Sequence, residues 1–191
     1  MIDRSLLAAA ERGDVNAQFS VGLFYSKAPH GSVLAVSWYQ KAAMQGHTGA
    51  MNNLGACYME GSGVTKDVLM AINLYRKAAE RGNVTAQSNL ADCYADGTGV
   101  AQDQVEAVRL YRRAAAKGHP SALFNLALRY EEGNGVIRDE IEAYACYNLA
   151  GVTMEAARKR LNSLEADLPM SGRLRGQQRS RQLKREIESM R

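Results

Sequence analysis

Apolar and small residues return at helical spacing in short blocks closed by glycine, and the arrangement repeats every 36 residues. Tyr39, Tyr75, Tyr111 and Tyr147 stand one period apart, as do Gly46, Gly82 and Gly118, and Ala50, Ala86 and Ala122. Self-similarity at such a period marks a supersecondary unit that cannot bury its apolar face alone and stacks on copies of itself. Each period holds two apolar segments of helical length separated by glycine-bearing breaks, which predicts helix, loop, helix and short turn in succession.

The unit is clearest from Ala50 to Gly82. Leu54-Gly55-Ala56-Cys57-Tyr58 leads into Gly61-Ser62-Gly63-Val64, then Asp67, Ala71 and Tyr75-Arg76-Lys77-Ala78-Ala79. Copies follow at Leu90-Ala91-Asp92-Cys93-Tyr94 and Leu126-Ala127-Leu128-Arg129-Tyr130. An earlier copy is shorter: Ala17, Val21, Gly22 and Tyr25 precede their counterparts by 33 residues, and Ala28-Pro29-His30-Gly31 replaces the Gly-x-Gly-Val element. A tighter, proline-shaped turn is expected there. Ala10-Glu11-Arg12-Gly13-Asp14-Val15 echoes Ala79-Glu80-Arg81-Gly82-Asn83-Val84, so the chain opens on the tail of a unit and an N-terminal capping helix is expected. Asp14, His47, Asn83 and His119 fall between a helix-ending glycine and the next helix, where Asp and Asn are natural N-caps and Pro120 suits the first helical position. Asp67, Asp103 and Asp139 put negative charge at the positive end of each second helix. Gly22, Gly55, Ala91 and Ala127 allow the two helices of a unit to approach closely. The tyrosine columns are expected to form core.

These residues resemble the Sel-1-like repeat family, relatives of tetratricopeptide arrays. The matching pattern is Ala50-x-x-x-Leu54-Gly55-x-x-Tyr58-x-x-Gly61-x-Gly63-Val64-x-x-Asp67, followed by Ala71-x-x-x-Tyr75-x-Lys77-Ala78-Ala79-x-x-Gly82. The chain departs from it at Ala91 and Ala127, where the family favours Gly, in the last second helix, and in the shortened loop. The resemblance implies an all-α fold, a right-handed α-α superhelix (solenoid) of helix-pair repeats. It implies a non-enzymatic protein-interaction scaffold or adaptor, often bacterial, and no common reaction.

Composition adds little except at the C-terminal end. With 46% hydrophobic residues, 17 Gly and 3 Pro, the chain has the make-up of an ordered helical protein. The net charge is +4, yet from Ser171 onward Arg173, Arg175, Arg179, Arg181, Lys184, Arg185 and Arg191 face only Glu186 and Glu188. Leu161, Leu164 and Leu168, then Leu183, Ile187 and Met190, predict helices over 153–167 and about 175–190, separated by Pro169-Met170-Ser171-Gly172. Residues 1–150 thus read as the repeat array, with an N-terminal capping helix, one shortened and three full repeats; residues 151–191 read as C-terminal capping helices with a basic end. No aromatic residue lies among those arginines, which argues against nucleic acid. No apolar run has the length of a secretory signal or membrane span. The chain as written is therefore expected in the cytoplasm, or in the periplasm or outside the cell if an export leader has been removed, and as a monomer. Cys57, Cys93 and Cys146 read as buried free thiols, since equivalent positions in stacked repeats lie beyond disulfide reach.

Catalytic motifs are missing. The three Gly-x-Gly elements continue into neither a phosphate loop nor a dinucleotide fingerprint, and no nucleophile elbow or metal-ligand spacing occurs. No cofactor or metal is expected, and His30, His47 and His119 read as turn residues. Recognition has better candidates. Ser20, Asn53, Asn89 and Asn125 form a polar column on the first helices, and asparagine can bond both the N–H and the C=O of an extended peptide. The alternative is that they satisfy groups within the scaffold. Positions that vary between copies add Asp92, Phe124, Leu128 and Arg129. Arg175, Arg179, Arg181, Lys184 and Arg185 form a candidate second contact. Trp38 reads as packing. The expected partner is a protein or peptide bound along a concave first-helix surface; the alternative is an inhibitor of immunity type that occludes one specific enzyme or toxin.

Overall fold

The protein is described here by a computed structural model covering residues 2–190; Arg191, counted above with the basic end, lies outside the described residues. All regular structure among them is helical: α1 (Arg4–Glu11), α2 (Val15–Ser26), α3 (Ser32–Met44), α4 (Thr48–Glu60), α5 (Val68–Glu80), α6 (Val84–Asp96), α7 (Gln104–Ala115), α8 (Pro120–Glu132), α9 (Glu140–Ala150), α10 (Glu155–Asp167) and α11 (Met170–Ser189). The chain divides into two compact units, Met1–Ala86 and Gln87–Arg191.

In the first unit α1 packs on α2, α2 on α3, α3 on α4 and α4 on α5. Ile2, Leu6 and Leu7, at the chain start and on α1, join Ala10, Ala17, Val21, Tyr25 and Trp38 in one apolar cluster. Lys41 lies over the Trp38 ring, 4.0 Å from its centroid. In the second unit α7 packs on α8 and α8 on α9, while α10 and α11 both pack on α9.

The second-helix tyrosines Tyr39, Tyr75, Tyr111 and Tyr147 are buried, whereas Tyr25, Tyr58, Tyr94 and Tyr130 of the first helices are half-buried. A Cβ on Gly22 would stand 2.6 Å from the Tyr39 ring, and one on Gly55 2.8 Å from the Tyr75 ring, so these rings lie directly on the facing backbone. Ala91 and Ala127 take the same place in the second unit and are wholly buried.

The caps follow the reading of the sequence. Asp14, His47, Asn83 and His119 accept the backbone N–H three residues on, at 2.7, 3.0, 2.8 and 3.3 Å. Asp67, Asp103 and Asp139 cap the second helices through their carboxylates. Each long loop is closed by the same bond, from the N–H of Asp67, Asp103 or Asp139 to the carbonyl of Tyr58, Tyr94 or Tyr130, 2.9 Å in every case. Gly63 and Gly135 are required twice over. Both have left-handed φ, +71° and +73°, and a side chain on either would overlap the backbone at the start of the preceding second helix, at Ser32 and Gln104.

In the short loop the left-handed residue is His30, φ 59°, and a side chain on Gly31 would overlap the Tyr25 carbonyl. Two local expectations are corrected. α11 begins at Met170, with Pro169 as N-cap residue, so Met170, Ser171 and Gly172 are helical; Gly172 and Gly176 are buried against Leu168 and Tyr144 and mark close packing where a break was expected. Cys57 is only half-buried, though all three cysteines are free as expected.

Two predictions follow from these ends and loops. Gly63→Ala combines an unfavourable φ with a backbone overlap and should lower unfolding free energy by about 3 kcal/mol. Gly82→Ala, with φ +86° but open space around it, should cost about 1 kcal/mol, so urea denaturation should rank the two variants in that order. The His47 and His119 caps use Nδ1 as acceptor and so need a neutral ring, and burial holds both below the ordinary value of 6.5. The folded protein therefore resists protonation more than the unfolded chain. Their contribution is complete above pH 6.5 and withdrawn as the pH falls from there through the lowered folded values. The melting temperature should drop over that window, and His47→Asn with His119→Asn, copying Asn83, should flatten the drop.

Candidate functional site

Two members of the polar column, Asn53 and Asn125, reach tyrosine hydroxyls of the second helices. In the first unit Asn53 Nδ2 donates to the buried Tyr39 hydroxyl at 3.3 Å, and Asn53 Oδ1 accepts from Asn52 Nδ2 at 3.1 Å. Ser20 Oγ donates to the Asn16 carbonyl one turn back, 2.8 Å away. A recess of about 510 Å³ opens on α2, lined by Ser20, Leu23, Phe24, Lys27 and Ala28. Asn89 holds the corresponding place on α6 and is half-buried.

The second unit gathers most of the remaining candidates. Asn125 Nδ2 donates to Asp92 Oδ1 at 2.9 Å and lies 3.4 Å from the Tyr111 hydroxyl, which itself donates to Asp92 Oδ1. One carboxylate oxygen thus ties together α6, α7 and α8. Burial pushes the Asp92 carboxyl above the ordinary carboxylate range; the Tyr111 bond opposes this, Asp96 one turn on reinforces it, and Asn125 and Arg129 oppose it further. Burial, then the charge and hydrogen bond of Asp92, keeps the Tyr111 phenol protonated.

Arg129 Nη1 donates to Gln104 Oε1 at 3.3 Å and lies 4.0 Å from Glu132, while its Nε is buried without a hydrogen-bond partner. Gln104 in turn donates to the Ala95 carbonyl at 2.8 Å. Phe124 sets its ring against Tyr147, centroids 5.8 Å apart, and Leu128 is half-buried beside it on α8. The Tyr147 hydroxyl donates to Glu131, whose carboxylate also pairs with Arg160 at 3.7 Å.

Gln104 and Glu131 were missed in the sequence. Gln104 stands where the other repeats have Ser32, Val68 and Glu140, and this variability from copy to copy was the available signal. The contact of Glu131 with Tyr147 has no counterpart in spacing.

The basic end divides. Arg181, Lys184 and Arg185 are exposed, and Arg175 lines a recess of about 410 Å³ with Arg138, Ile141 and Pro169. Arg179 instead donates to Glu142 of α9 at 2.7 Å and to Glu186 at 3.1 Å, which fastens α11 to the last repeat.

Thiol chemistry is disfavoured by burial, which pushes Cys93 up to about 11 and Cys146 up to about 12, with Asp92 and Glu142 respectively adding to the effect. Among the described residues no three His, Cys, Asp or Glu side chains are grouped to hold a metal ion, and no helix is long and apolar enough to cross a membrane.

A sequence profile of the Sel1 repeat matches residues 15–47, 48–83, 84–119 and 120–151. Among solved structures, a protective antigen present in uropathogenic Escherichia coli strains and displaying an SLR fold is 29% identical with a TM-score of 0.86; the match covers 97% of this chain and 42% of that one. A Sel1 repeat protein from Oxalobacter formigenes is 33% identical with a TM-score of 0.78, over 91% of this chain and 74% of that one. A putative sel1 repeat protein from Klebsiella pneumoniae shares the fold at 20% identity and a TM-score of 0.57, over 84% and 82%. No curated protein matches the sequence.

The geometry of Arg179 gives a direct prediction. Arg179→Ala strands the half-buried Glu142 and should lower stability by about 2 kcal/mol. Arg181→Ala and Arg185→Ala should leave it within about 0.5 kcal/mol, as measured by thermal unfolding.

Proposed function

Because the chain belongs to the Sel1 repeat family, we propose that it is a non-enzymatic adaptor that holds a segment of a partner protein on the faces of its first helices. Sel1 repeat arrays are all-helical solenoids and protein-interaction scaffolds. The observation that carries the proposal for this chain is the division between constant and variable positions. Residues that build the repeat, such as Tyr39, Tyr75, Tyr111 and Tyr147, are buried. Of the columns that change from copy to copy, the one of Leu23, Ala56, Asp92 and Leu128 is half-buried throughout on the first helices, with Phe19, Phe124 and Arg129 half-buried beside it, while Asn52, Ser88 and Cys93 of the neighbouring columns are buried.

A half-buried side chain held in place by neighbours is suited to binding, because little of its freedom remains to be lost when a partner arrives. Phe124 and Leu128 supply apolar area, Asp92 and Arg129 supply charge, and Asn125 is fixed between them. The recess on α2 lined by Leu23 and Phe24 offers a second apolar seat. Asn53 and Asn125 act in this reading mainly as positioning groups for the buried tyrosine hydroxyls, and the exposed Arg181, Lys184 and Arg185 remain available as a separate basic contact.

The test is affinity capture from lysate of the source cells, comparing the wild-type chain with Leu128→Glu and with Val105→Glu. Val105 lies on a second helix and is 67% exposed, so it reports on nonspecific effects of the added charge. A protein retained by wild type and Val105→Glu but lost with Leu128→Glu is the expected result. Equal retention by all three would remove the second unit's first-helix face from the proposal, and loss with Val105→Glu alone would move the contact to the second helices.

A further inference from the structure

We infer that, on this face, Asp92 receives a lysine or arginine side chain of the partner; the inference rests on the adaptor reading above and gives it a chemistry. The starting point is a comparison of the chain with itself. The column that holds Asp92 contains Leu23, Ala56 and Leu128 in the other repeats. The scaffold at this position therefore does without a carboxylate in three copies out of four. In the first unit the buried Tyr39 hydroxyl is met by Asn53, with Leu23 in the Asp92 column. Satisfying a tyrosine hydroxyl is thus a sufficient role for the asparagine, and the aspartate is an addition particular to this repeat.

The addition is costly for the free protein. Asp92 is half-buried, and its Oδ1 is occupied by Tyr111 and Asn125, which fix the direction of the carboxylate. No lysine or arginine among the described residues forms an ion pair with it. Arg129 is the nearby cation and favours the Asp92 charge from a distance, while its guanidinium donates to Gln104 and lies 4.0 Å from Glu132. Asp96, exposed one turn further along α6, repels the same charge. A partly desolvated carboxylate that is oriented yet in no direct ion pair gains from an arriving cation, since much of its own dehydration has already been met in folding. A metal ion is a poor occupant, because the neighbouring groups do not supply three ligands. Phe124 and Leu128 on α8 then call for apolar residues beside the partner's cation, so that a basic side chain flanked by aliphatic ones fits the face as a whole.

The experiment selects binders to the wild-type chain from a phage-displayed library of random peptides and measures the strongest binder as a synthetic peptide. The expected peptide carries a lysine or arginine at a fixed place among apolar residues. Replacing that residue by norleucine, or Asp92 by Asn, should each weaken it about tenfold, and the two changes together should add little further. Circular dichroism of Asp92→Leu, which copies Leu23 and Leu128, should show the helical content of wild type and separates a binding effect from unfolding. Peptides that need Phe124 and Leu128 but carry no cation, or keep their affinity for Asp92→Asn, would overturn the assignment of the cation and leave the adaptor face standing. Peptides indifferent to Asp92, Phe124 and Leu128 alike would overturn both.

Discussion

The fold depends on a ring laid against a backbone. A second-helix tyrosine lies over a first-helix residue that must be small, Gly22 under Tyr39 and Gly55 under Tyr75, so that two helices meet at a distance no larger side chain allows. Burying that ring supplies much of the apolar area of a repeat, and it carries a hydroxyl into the interior that needs a partner. The partners come from the first helices: Asn53 for Tyr39, Asp92 and Asn125 for Tyr111, Glu131 for Tyr147. The polar column on those helices is to that extent a consequence of the tyrosine column.

That dependence explains which parts of the molecule could be read from the chain. Helix ends were legible because capping is local: Asp67, Asp103 and Asp139 act within three residues of themselves, and the glycines before His47 and His119 announce the turn. The tyrosine core was legible because it recurs. The destinations of Asn53 and Asn125 were not, since each reaches a hydroxyl 14 residues earlier on another helix, and sequence spacing alone left scaffold and ligand equally open. Gly172 misled for a different reason. Glycine is written alike whether it ends a helix or lets a neighbour approach, and only the packing around Leu168 and Tyr144 distinguishes the two uses. The ion pairs of Arg179 were not legible either, because a basic helix looks uniform until its facing carboxylates, here Glu142 and Glu186, are known.

A repeat protein carries its own internal controls. Every position has three relatives built on nearly the same backbone, so a residue that differs from them has been spared the uniform demands of stacking. Ala91 in place of Gly55 remains within those demands, because both are small. Asp92, Gln104 and Arg129 do not: Asp92 accepts from Asn125 and Arg129 donates to Gln104, in a part of the unit where the other copies place aliphatic residues, cysteine, phenylalanine, serine or glutamate. Charge placed where stacking does not ask for it is the feature that separates this chain from a bare helical support.

The long loops have a direction. Gly63 rests on the start of α3 and Gly135 on the start of α7, in each case a helix that lies earlier in the chain. These two loops rest on chain that the ribosome has already released, whereas the Tyr39 and Tyr111 hydroxyls of the same helices wait for Asn53 and Asn125, which are still to come. A repeat can therefore lay its loop on finished structure as it emerges, and its tyrosine hydroxyl meets its asparagine only when the next repeat follows.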